Sequence, residues 1–369
     1  MLIMALLAVN CTVFAAETTD ILKPVIELAN KGDADANLQL GAIFLVKGDY
    51  DNAFKHLKAA SEKGLGFAHR QLMMMYADGL GIKRDMKEAT KYANRTANSE
   101  TADDKNGNAK PYAFSPDKNA ALLTGRKELI DTLKKGLANG TPGALHYCAT
   151  LQLFGSQDLT KDNAKAIQLF ENAANRGSVV AMNQLGILAE MQGDDNAAVK
   201  WYLLAAEQNF TPAMFSLATV FQKGHGIPKN PTKLYTWMKR AADLGDNVAI
   251  QRMVAFCALE EPGFEGRQKE TVDWLKKGVA NDDAVSQCFL GEMYISGGPD
   301  LEKDINKGIG LLQKSCDAQN PRAYYQMGLI YYKGDGIPKD KHKAKELLQW
   351  SADRGFEEAQ AALKELKFD

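Results

Sequence analysis

A short glycine-rich segment recurs three times along the chain and constrains the fold more than any other feature. It reads GLGIKRD at residues 79–85, GHGIPKN at 224–230 and GDGIPKD at 334–340. Each copy follows a segment with helical periodicity and precedes an amphipathic segment ending in a pair of alanines or an equivalent pair. Self-similarity of this kind is typical of stacked supersecondary units. We therefore expect an all-α chain built from repeated helix pairs.

The period of the array follows from an alanine near the start of each first helix. These alanines are separated by 32, 76, 37, 32, 36, 35, 39 and 36 residues. The 76-residue interval is twice 38, and LKKGLANGTPGAL from residue 133 is similar to LKKGVANDDAVSQ from residue 275. A degenerate extra pair is therefore expected in that interval. The alanines are Ala36, Ala68, Ala144, Ala181, Ala213, Ala249, Ala284, Ala323 and Ala359.

Small residues recur at one phase of the first helices, at Gly41, Gly186, Gly291 and Gly328. Glycine costs about 1 kcal/mol relative to alanine inside a helix, so its recurrence predicts a close approach of neighbouring helices. The glycines that open each loop segment are expected to take positive φ values that end one helix and reverse the chain. The last loop residue is expected to cap the next helix.

These residues resemble the Sel1-like repeat family, a relative of the tetratricopeptide repeat. The resemblance covers residues 34–369 except 97–115 and rests on the pattern A...LG..Y..G.GI.KD...A..W...AA..G. It implies an all-α, right-handed superhelical α/α solenoid whose first helices line an inner face. A cysteine-rich branch of the family carries paired cysteines in each repeat. Here Cys316 fits one such position but Ala323 occupies its partner position, so the β-lactamase-like activity proposed for that branch has little support.

The repeats divide the chain into a predicted order of segments. Sel1-like repeats are expected over residues 36–96 and 144–358, with degenerate repeat helices over 116–143. The polar, Asn-rich stretch at 97–115 predicts a flexible surface loop. The remaining segments are a signal peptide at 1–16, an N-terminal capping helix at 17–35 and a C-terminal capping helix at 359–369.

The first sixteen residues, MLIMALLAVNCTVFAA, are uncharged and have the length of a secretory signal core. They are too short for a permanent membrane span, so the sequence predicts an exported, periplasmic or secreted product. The alternative interpretation is a buried N-terminal helix. A lipoprotein interpretation is disfavoured, because Asn10 precedes Cys11 where a small residue is needed.

Charge and cysteine usage exclude some functions. The 45 basic and 46 acidic residues give a formal net charge of -1, so no global field recruits nucleic acid. Beyond the leader, the cysteines have no metal spacing and are interpreted as small buried residues. Cys288 and Cys316 fall on the two helices of one repeat, so the sequence leaves undecided whether they form a disulfide.

No constellation for catalysis is found in the sequence. The five histidines are scattered, and HExxH, GxSxG and P-loop patterns are absent. Asp33, Asp35 and Asn37 imitate the start of a calcium loop, but Leu38 stands where glycine is needed. We therefore expect no enzyme activity, no metal and no cofactor.

The surface most suited to binding is the inner face, and the register implied by the resemblance places one residue of each first helix there. Arginine and aromatic residues, which interfaces favour as anchors, are prominent among them. The alternative is that the apolar ones only pack between adjacent helices. The predicted partner-binding residues are Arg70, His146, Asn183, Phe215, Arg252, Tyr325 and Tyr332.

The leading functional hypothesis is a non-enzymatic protein-binding scaffold that takes a protein or peptide in the groove and acts in envelope regulation or host interaction. The alternative is a cell-wall or glycan-active periplasmic protein. A hydrolase needs two converging carboxylates, and Glu190 with Glu292 is the candidate pair on the predicted face.

Overall fold

The computed structural model describes residues 22–100, 120–154, 161–224, 227–298 and 301–368. The chain divides into two compact units, Met1–Lys229 (unit 1) and Asn230–Asp369 (unit 2). The described residues are organised as helices joined by short turns, with an isolated bridge between Gly298 and Leu301 and no strand. The predicted fold class, an all-α solenoid of helix pairs, is confirmed. The handedness of a superhelix stays a prediction.

Unit 1 begins with a helix over residues 22–30 (α1) and continues with ten helices, eight of which form four first-and-second helix pairs. Consecutive first and second helices pack against each other across their turns. The helices are α2 Ala34–Lys47, α3 Tyr50–Glu62, α4 Gly66–Asp78, α5 Met86–Glu100, α6 Ala120–Ala138, α7 Pro142–Phe154, α8 Asn163–Asn175, α9 Val179–Met191, α10 Asp195–Ala206 and α11 Thr211–Lys223.

Unit 2 contains three complete pairs between a leading second helix and a closing helix. Its helices are α12 Pro231–Asp243, α13 Asn247–Leu259, α14 Glu270–Ala280, α15 Ala284–Ser296, α16 Ile305–Asp317, α17 Pro321–Lys333, α18 Lys341–Asp353 and α19 Glu357–Glu365.

The loop chemistry is that expected from the sequence. Gly334 ends α17 in the left-handed region with φ of 82°, and Gly336 follows with φ of 79°. The side chain of Asp340 then accepts a hydrogen bond from the Lys343 amide and caps α18. Asn230 caps α12 in the same way. The start of a helix needs such caps because its first backbone amides have no hydrogen-bond acceptor within the helix.

The glycines of the first helices lie where the second helix comes closest. A Cβ added at Gly41 would lie 2.7 Å from Leu57 Cδ2, and one at Gly328 would lie 2.8 Å from Leu348 Cγ. A Cβ at Gly186 would overlap the ring of Tyr202, which is fully buried. The predicted close approach is therefore confirmed for these pairs, and its cost in helix propensity is offset by packing.

Unit 1 has a second layer that the repeat pattern does not predict. Helix α2 packs on α6 and α7, and together with α1 these helices share one apolar cluster. The backbone of α2 approaches so closely that a Cβ at Gly136 would lie 2.9 Å from the carbonyl oxygen of Val46. Helix α4 contacts α9, and α5 contacts α11. The first two repeats of unit 1 therefore pack on the later ones.

Several predicted segments fall outside the described residues. These are the signal peptide, with Cys11, and residues 101–115 of the predicted loop. At the start of that loop, α5 continues to Glu100, so residues 97–100 are helical where the sequence analysis expected loop. The capping helices overlap α1 and α19, whose described bounds are 22–30 and Glu357–Glu365.

Candidate protein-binding surface

The predicted contacts in unit 1 differ in exposure. Asn183 on α9 is 5% exposed. His146 on α7 lies edge-on to Phe170 of α8 with ring centroids 5.6 Å apart, and its Nδ1 is buried without a hydrogen-bond partner. Burial lowers the pKa of His146 to about 4, so the ring is neutral near pH 7. His146 is therefore partly exposed but packs its ring between the two helices of one pair.

Arg70 and Phe215 are partly exposed. The guanidinium of Arg70 lies 6.0 Å from the centroid of the Phe67 ring on the same helix. Phe215 lies on α11 and is half-buried. Both side chains therefore keep part of their surface accessible.

The face is covered because α4 crosses from α7 to the start of α9. At one end of α4, Phe67 lies edge-on to Tyr147 of α7, with ring centroids 5.7 Å apart. At the other end, Asp78 accepts hydrogen bonds from the Ser178 hydroxyl at 2.6 Å and from the Val179 amide at 2.9 Å. The chain's own helix therefore occupies the start of the first-helix face of α9.

Unit 2 keeps part of the equivalent face open. Arg252 on α13 is exposed, and Leu259, seven residues further on, is 72% exposed. Residues seven apart lie on the same side of a helix, so the two side chains share one face. Between them Phe256 is buried under Phe264, with ring centroids 5.0 Å apart.

The two predicted tyrosines on α17 pack against the end of unit 2. Tyr325 lies 5.3 Å from Phe356, and Tyr332 lies edge-on to Phe368 at 5.6 Å, both measured between ring centroids. Both tyrosines stay half-exposed. The face of α17 is therefore partly shared with the closing segment.

An ion pair lies on the same side of unit 2. Arg322 donates from Nε and Nη2 to the two carboxylate oxygens of Glu292, at 2.7 and 2.9 Å. Its guanidinium carbon lies 4.6 Å from the centroid of the Phe289 ring. Two parallel hydrogen bonds and a stacked ring fix this arginine better than a single contact would.

The two carboxylates of the glycan hypothesis are each held within their own unit. Glu190 pairs with Lys223 at 2.7 Å and accepts a hydrogen bond from the Tyr202 hydroxyl at 3.1 Å. Glu292 is engaged by Arg322. Each carboxylate is thus engaged by a cation of its own unit.

The cysteines Cys148, Cys257, Cys288 and Cys316 are all free and buried. The Cys288 thiol donates to Glu292 Oε1 at 3.5 Å. Burial raises the pKa of Cys288 well above its usual value and that of Cys316 to about 12, so both thiols stay protonated. The disulfide left open by the sequence is not formed in this structure.

In the described part of the chain, no group of three or more His, Cys, Asp or Glu side chains is placed to hold a metal ion. Asp33, from the calcium-like run, caps α2 by accepting from the Ala36 amide at 2.8 Å. None of the helices described combines the length and the apolar character that a membrane span requires.

Sequence reasoning missed two features of this surface. One is the exposed side chain of Leu259, which the sequence does not single out because exposure depends on what the neighbouring loop covers. The Arg322–Glu292 pair joins neighbouring repeats, and its signal was the glutamate at the face position of α15. A register that includes cross-repeat partners would have found it.

Stacked helix pairs of 32 to 37 residues with glycine loops define a class of α-solenoid repeat proteins. The model of the Sel1 repeat matches seven segments, at residues 34–65, 66–99, 142–178, 179–210, 211–246, 284–320 and 321–356. The chain therefore belongs to the Sel1 repeat family, whose members are typically protein-interaction scaffolds. The pair α13–α14 is not matched, although it packs like the others.

Similar proteins share the repeats over part of their length. Chitin synthase regulatory factor 3 of Schizosaccharomyces pombe is 23% identical over 270 residues, which are 68% of this chain and 29% of that protein. The alginate biosynthesis protein AlgK of Pseudomonas putida is 26% identical over 312 residues, 84% of this chain and 62% of AlgK. The chain thus spans less than two thirds of either relative.

A solved Sel1 repeat protein from Oxalobacter formigenes has the same fold. Its TM-score is 0.55 at 24% identity, over 94% of this chain and 90% of that one.

Proposed function

We propose that this chain is an exported, non-enzymatic scaffold that binds a protein or peptide through the first-helix face of unit 2. The observation that carries the proposal is the open face of α13, where Arg252 and Leu259 are exposed on one side of the helix. A cation beside an exposed leucine suits a partner that offers a carboxylate near an apolar side chain. Membership of the Sel1 repeat family supports the scaffold role.

Partner capture tests this surface. The tagged chain is crosslinked in its producing cells, and captured proteins are identified by mass spectrometry. The variant Arg252→Glu/Leu259→Ser reverses the charge and removes the apolar side chain, and it is expected to lose the captured partner. Truncating such anchor residues typically costs about 2 kcal/mol or more of binding free energy, which is roughly a 30-fold loss of affinity.

A matched control separates the face from general surface effects. Lys314 is exposed on α16, and Leu244 at the end of α12 is 36% exposed. The variant Lys314→Glu/Leu244→Ser makes the same two changes outside the first helices and is expected to retain the partner. Equal recovery by both variants would reject the proposed face.

Export is part of the same proposal, and the uncharged run at residues 1–16 supports it. The expected product is a mature chain cleaved after Ala15 or Ala16 and recovered from the periplasm or the medium. Intact mass measurement of the fractionated protein checks this. Detection of the uncleaved chain in the cytoplasmic fraction alone would contradict export.

A second candidate is an accessory role beside an envelope polysaccharide. It is supported by relatives whose names refer to chitin synthase regulation and alginate biosynthesis. Because Glu190 and Glu292 each form an ion pair with a basic side chain, a non-catalytic accessory role is favoured over hydrolase activity. Calorimetric titration with chitin and alginate oligosaccharides tests it, and absence of binding heat with both would reject direct recognition of these glycans.

A further inference from the structure

The contact between α4 and α9 joins residues a hundred positions apart through few polar groups. The carboxylate of Asp78 receives the Ser178 hydroxyl and the Val179 amide, which belong to the start of α9. Ser178 is also the N-cap of α9, since its side chain accepts from the Ala181 amide at 3.1 Å. An anion at this position is stabilised by the free amides and the dipole of the helix.

The stripe of α4 that carries this contact is continuous. Phe67, Gln71, Met74 and Asp78 are spaced by four, three and four residues, so they lie on one side of the helix. Phe67 meets Tyr147 at one end and Asp78 meets α9 at the other. Helix α4 therefore covers the surface between Tyr147 of α7 and the start of α9.

This contact buries polar atoms that it does not pair. The Oε1 atom of Gln71 on the stripe is buried without a hydrogen-bond partner, and so is Oδ1 of Asn183, one turn beyond Val179. A buried polar atom without a partner costs free energy, which weakens the contact. Further along, the layers meet through the hydroxyls of Thr90 and Thr211, 3.2 Å apart.

The contact of α2 with α6 and α7 is of a different kind. It is an apolar cluster that includes Leu40, Ile43, Leu133 and Tyr147, all buried. Apolar burial holds this side of the layer more firmly than the polar side, because interfaces rich in polar groups permit relative motion. Opening is therefore expected at α4 and α5, with the α2 side remaining packed.

We propose that Asp78 is the anchor of a pH-responsive latch, by which α4 covers the first-helix face at the start of α9 more tightly in mildly acidic conditions than at neutral pH. The latch stands apart from the binding proposed for unit 2, since it concerns residues of unit 1 alone. Its open form presents a second first-helix face whose occupant in this structure is α4.

Burial explains the direction of the pH response. Desolvation raises the pKa of Asp78 from 3.8 to about 6, against the lowering effects of Ser178, the α9 amides and Arg84. When α4 leaves α9 the carboxylate regains water, and its pKa returns toward 3.8. Protonation therefore favours the docked form, and docking strengthens as pH falls through about 6 toward 4.

Arg84 is the charged group that opposes protonation of Asp78, and the described residues of α9 next to the carboxylate add none. The first turn of α9 is Val179, Val180, Ala181 and Met182, none of them charged. Arg176 is turned away, with Nη1 on the Gly140 carbonyl oxygen at 2.7 Å and Nε on Asn172. Arg84 is the cation that acts on Asp78 from the loop after α4.

Hydrogen exchange of the full chain tests the latch with two variants. Asp78→Asn keeps both contacts in a neutral group, because Oδ1 can accept from Val179 and Nδ2 can donate to Ser178 Oγ. Asp78→Ala removes them. Peptides covering α4 and the start of α9 are expected to exchange at least about tenfold faster in Asp78→Ala than in Asp78→Asn, the effect of losing charge-assisted or paired hydrogen bonds.

The pH response is read as a ratio that cancels other titrating groups. Protection in the wild-type chain divided by protection in Asp78→Asn is expected to rise about tenfold between pH 7.5 and pH 5. A ratio that stays flat over this range would overturn the pH dependence, and equal protection in Asp78→Ala and Asp78→Asn would overturn the latch.

The matched control is Asp162→Ala in the same unit. Asp162 caps α8 by accepting from the Lys165 amide at 3.0 Å and makes no bridge to another layer. Its loss is expected to loosen the start of α8 and leave α4 unchanged. Faster exchange of α4 in this control would show that the Asp78 effect is general destabilisation, which also counts against the latch. Circular dichroism verifies that each variant is folded.

Discussion

The two units use one repeat but treat its first-helix face differently. In unit 1 the start of α9 is covered by α4, and Asn183 at the predicted contact position is 5% exposed. In unit 2 the equivalent residue on α13, Arg252, is exposed, and Leu259 beyond it is 72% exposed. The repeat therefore determines how two helices pair, while residues outside its pattern decide whether the face is free.

The close helix approach is the feature the two units share, and it gives the largest expected effect. In unit 1 the methyl group of Gly186→Ala would overlap the buried ring of Tyr202. In unit 2 that of Gly328→Ala would lie 2.8 Å from Leu348 Cγ, which can move more readily than a ring. We expect destabilisation of about 3 kcal/mol for the first and about 1 kcal/mol for the second, after a gain of roughly 1 kcal/mol in helix propensity.

Urea unfolding, followed by hydrogen exchange of peptides from each unit, measures these losses. A suitable control is Gly310→Ala on α16, where an added Cβ would meet nothing within 4 Å. This change is expected to be neutral or stabilising. If Gly186→Ala were as mild as the control, the rigid contact with Tyr202 would not govern the pair.

Acid is expected to distinguish the units through His146. The pKa of His146 is about 4 in the folded chain and about 6.5 when exposed, so the unfolded chain binds the proton first as pH falls. Stability that is present above pH 6.5 is therefore lost progressively toward pH 4, by roughly 2 to 3 kcal/mol at pH 4.5. The variant His146→Leu removes this loss in unit 1.

The measurement compares urea midpoints of wild type and His146→Leu at pH 7 and pH 4.5. His56 and His69, whose pKa values are also lowered by burial, remain in both chains and cancel. Unit 2 peptides serve as the internal reference and are expected to respond equally in both chains. An unchanged pH dependence in the variant would mean that the His146 ring is hydrated in the folded protein.

Much of each pair could be predicted from the sequence, because its determinants are local and periodic. Gly41 and Gly328 marked the close contacts, and Asn230 and Asp340 marked the caps. These features depend on residues within one repeat, where spacing along the chain fixes spacing in the fold.

The covering of unit 1 could not be predicted in this way. Asp78 and Ser178 are ordinary residues at helix ends, separated by a hundred positions, and no periodicity links them. Phe264 lies in the loop after α13 and is fully buried against Phe256, but its segment lacks the glycine motif. Asn183, which is 5% exposed, was predicted to line an open groove because a repeat register cannot show a second layer.

Serine stands at one position of the last two second helices of unit 2, where most other second helices have alanine, and its removal is expected to give a moderate effect. Ser351 is fully buried and donates to the Pro321 carbonyl oxygen at 2.7 Å, whereas Ala173 fills the same position in unit 1. Ser351→Ala leaves that carbonyl oxygen without this donor and is expected to cost about 1 to 2 kcal/mol. The loss is read from the unfolding of unit 2 peptides in urea.

The control for Ser351 is the matching residue in the preceding pair. Ser315 donates to the Ala284 carbonyl oxygen at 2.6 Å, but Asn320 Nδ2 also donates to it at 3.2 Å. Ser315→Ala is therefore expected to cost less than Ser351→Ala, because one donor remains. A larger loss at Ser315 would contradict the assigned role of Asn320.

The ion pairs on the two first-helix faces give the smallest expected difference. Arg322 binds Glu292 with two hydrogen bonds and covers Phe289, whereas Lys223 reaches Glu190 through one contact in unit 1. All four charged side chains are partly exposed, so solvent weakens both pairs. Arg322→Met is expected to cost about 1 kcal/mol of unfolding free energy and Lys223→Met a few tenths, because the bidentate geometry and the ring stacking are made by the arginine and not by the lysine.

Salt dependence of the urea midpoint checks this assignment. The difference in midpoint between wild type and each variant should shrink in 1 M NaCl, because salt screens exposed ion pairs. A difference for Arg322→Met that salt does not change would assign the contribution of Arg322 to its packing on Phe289.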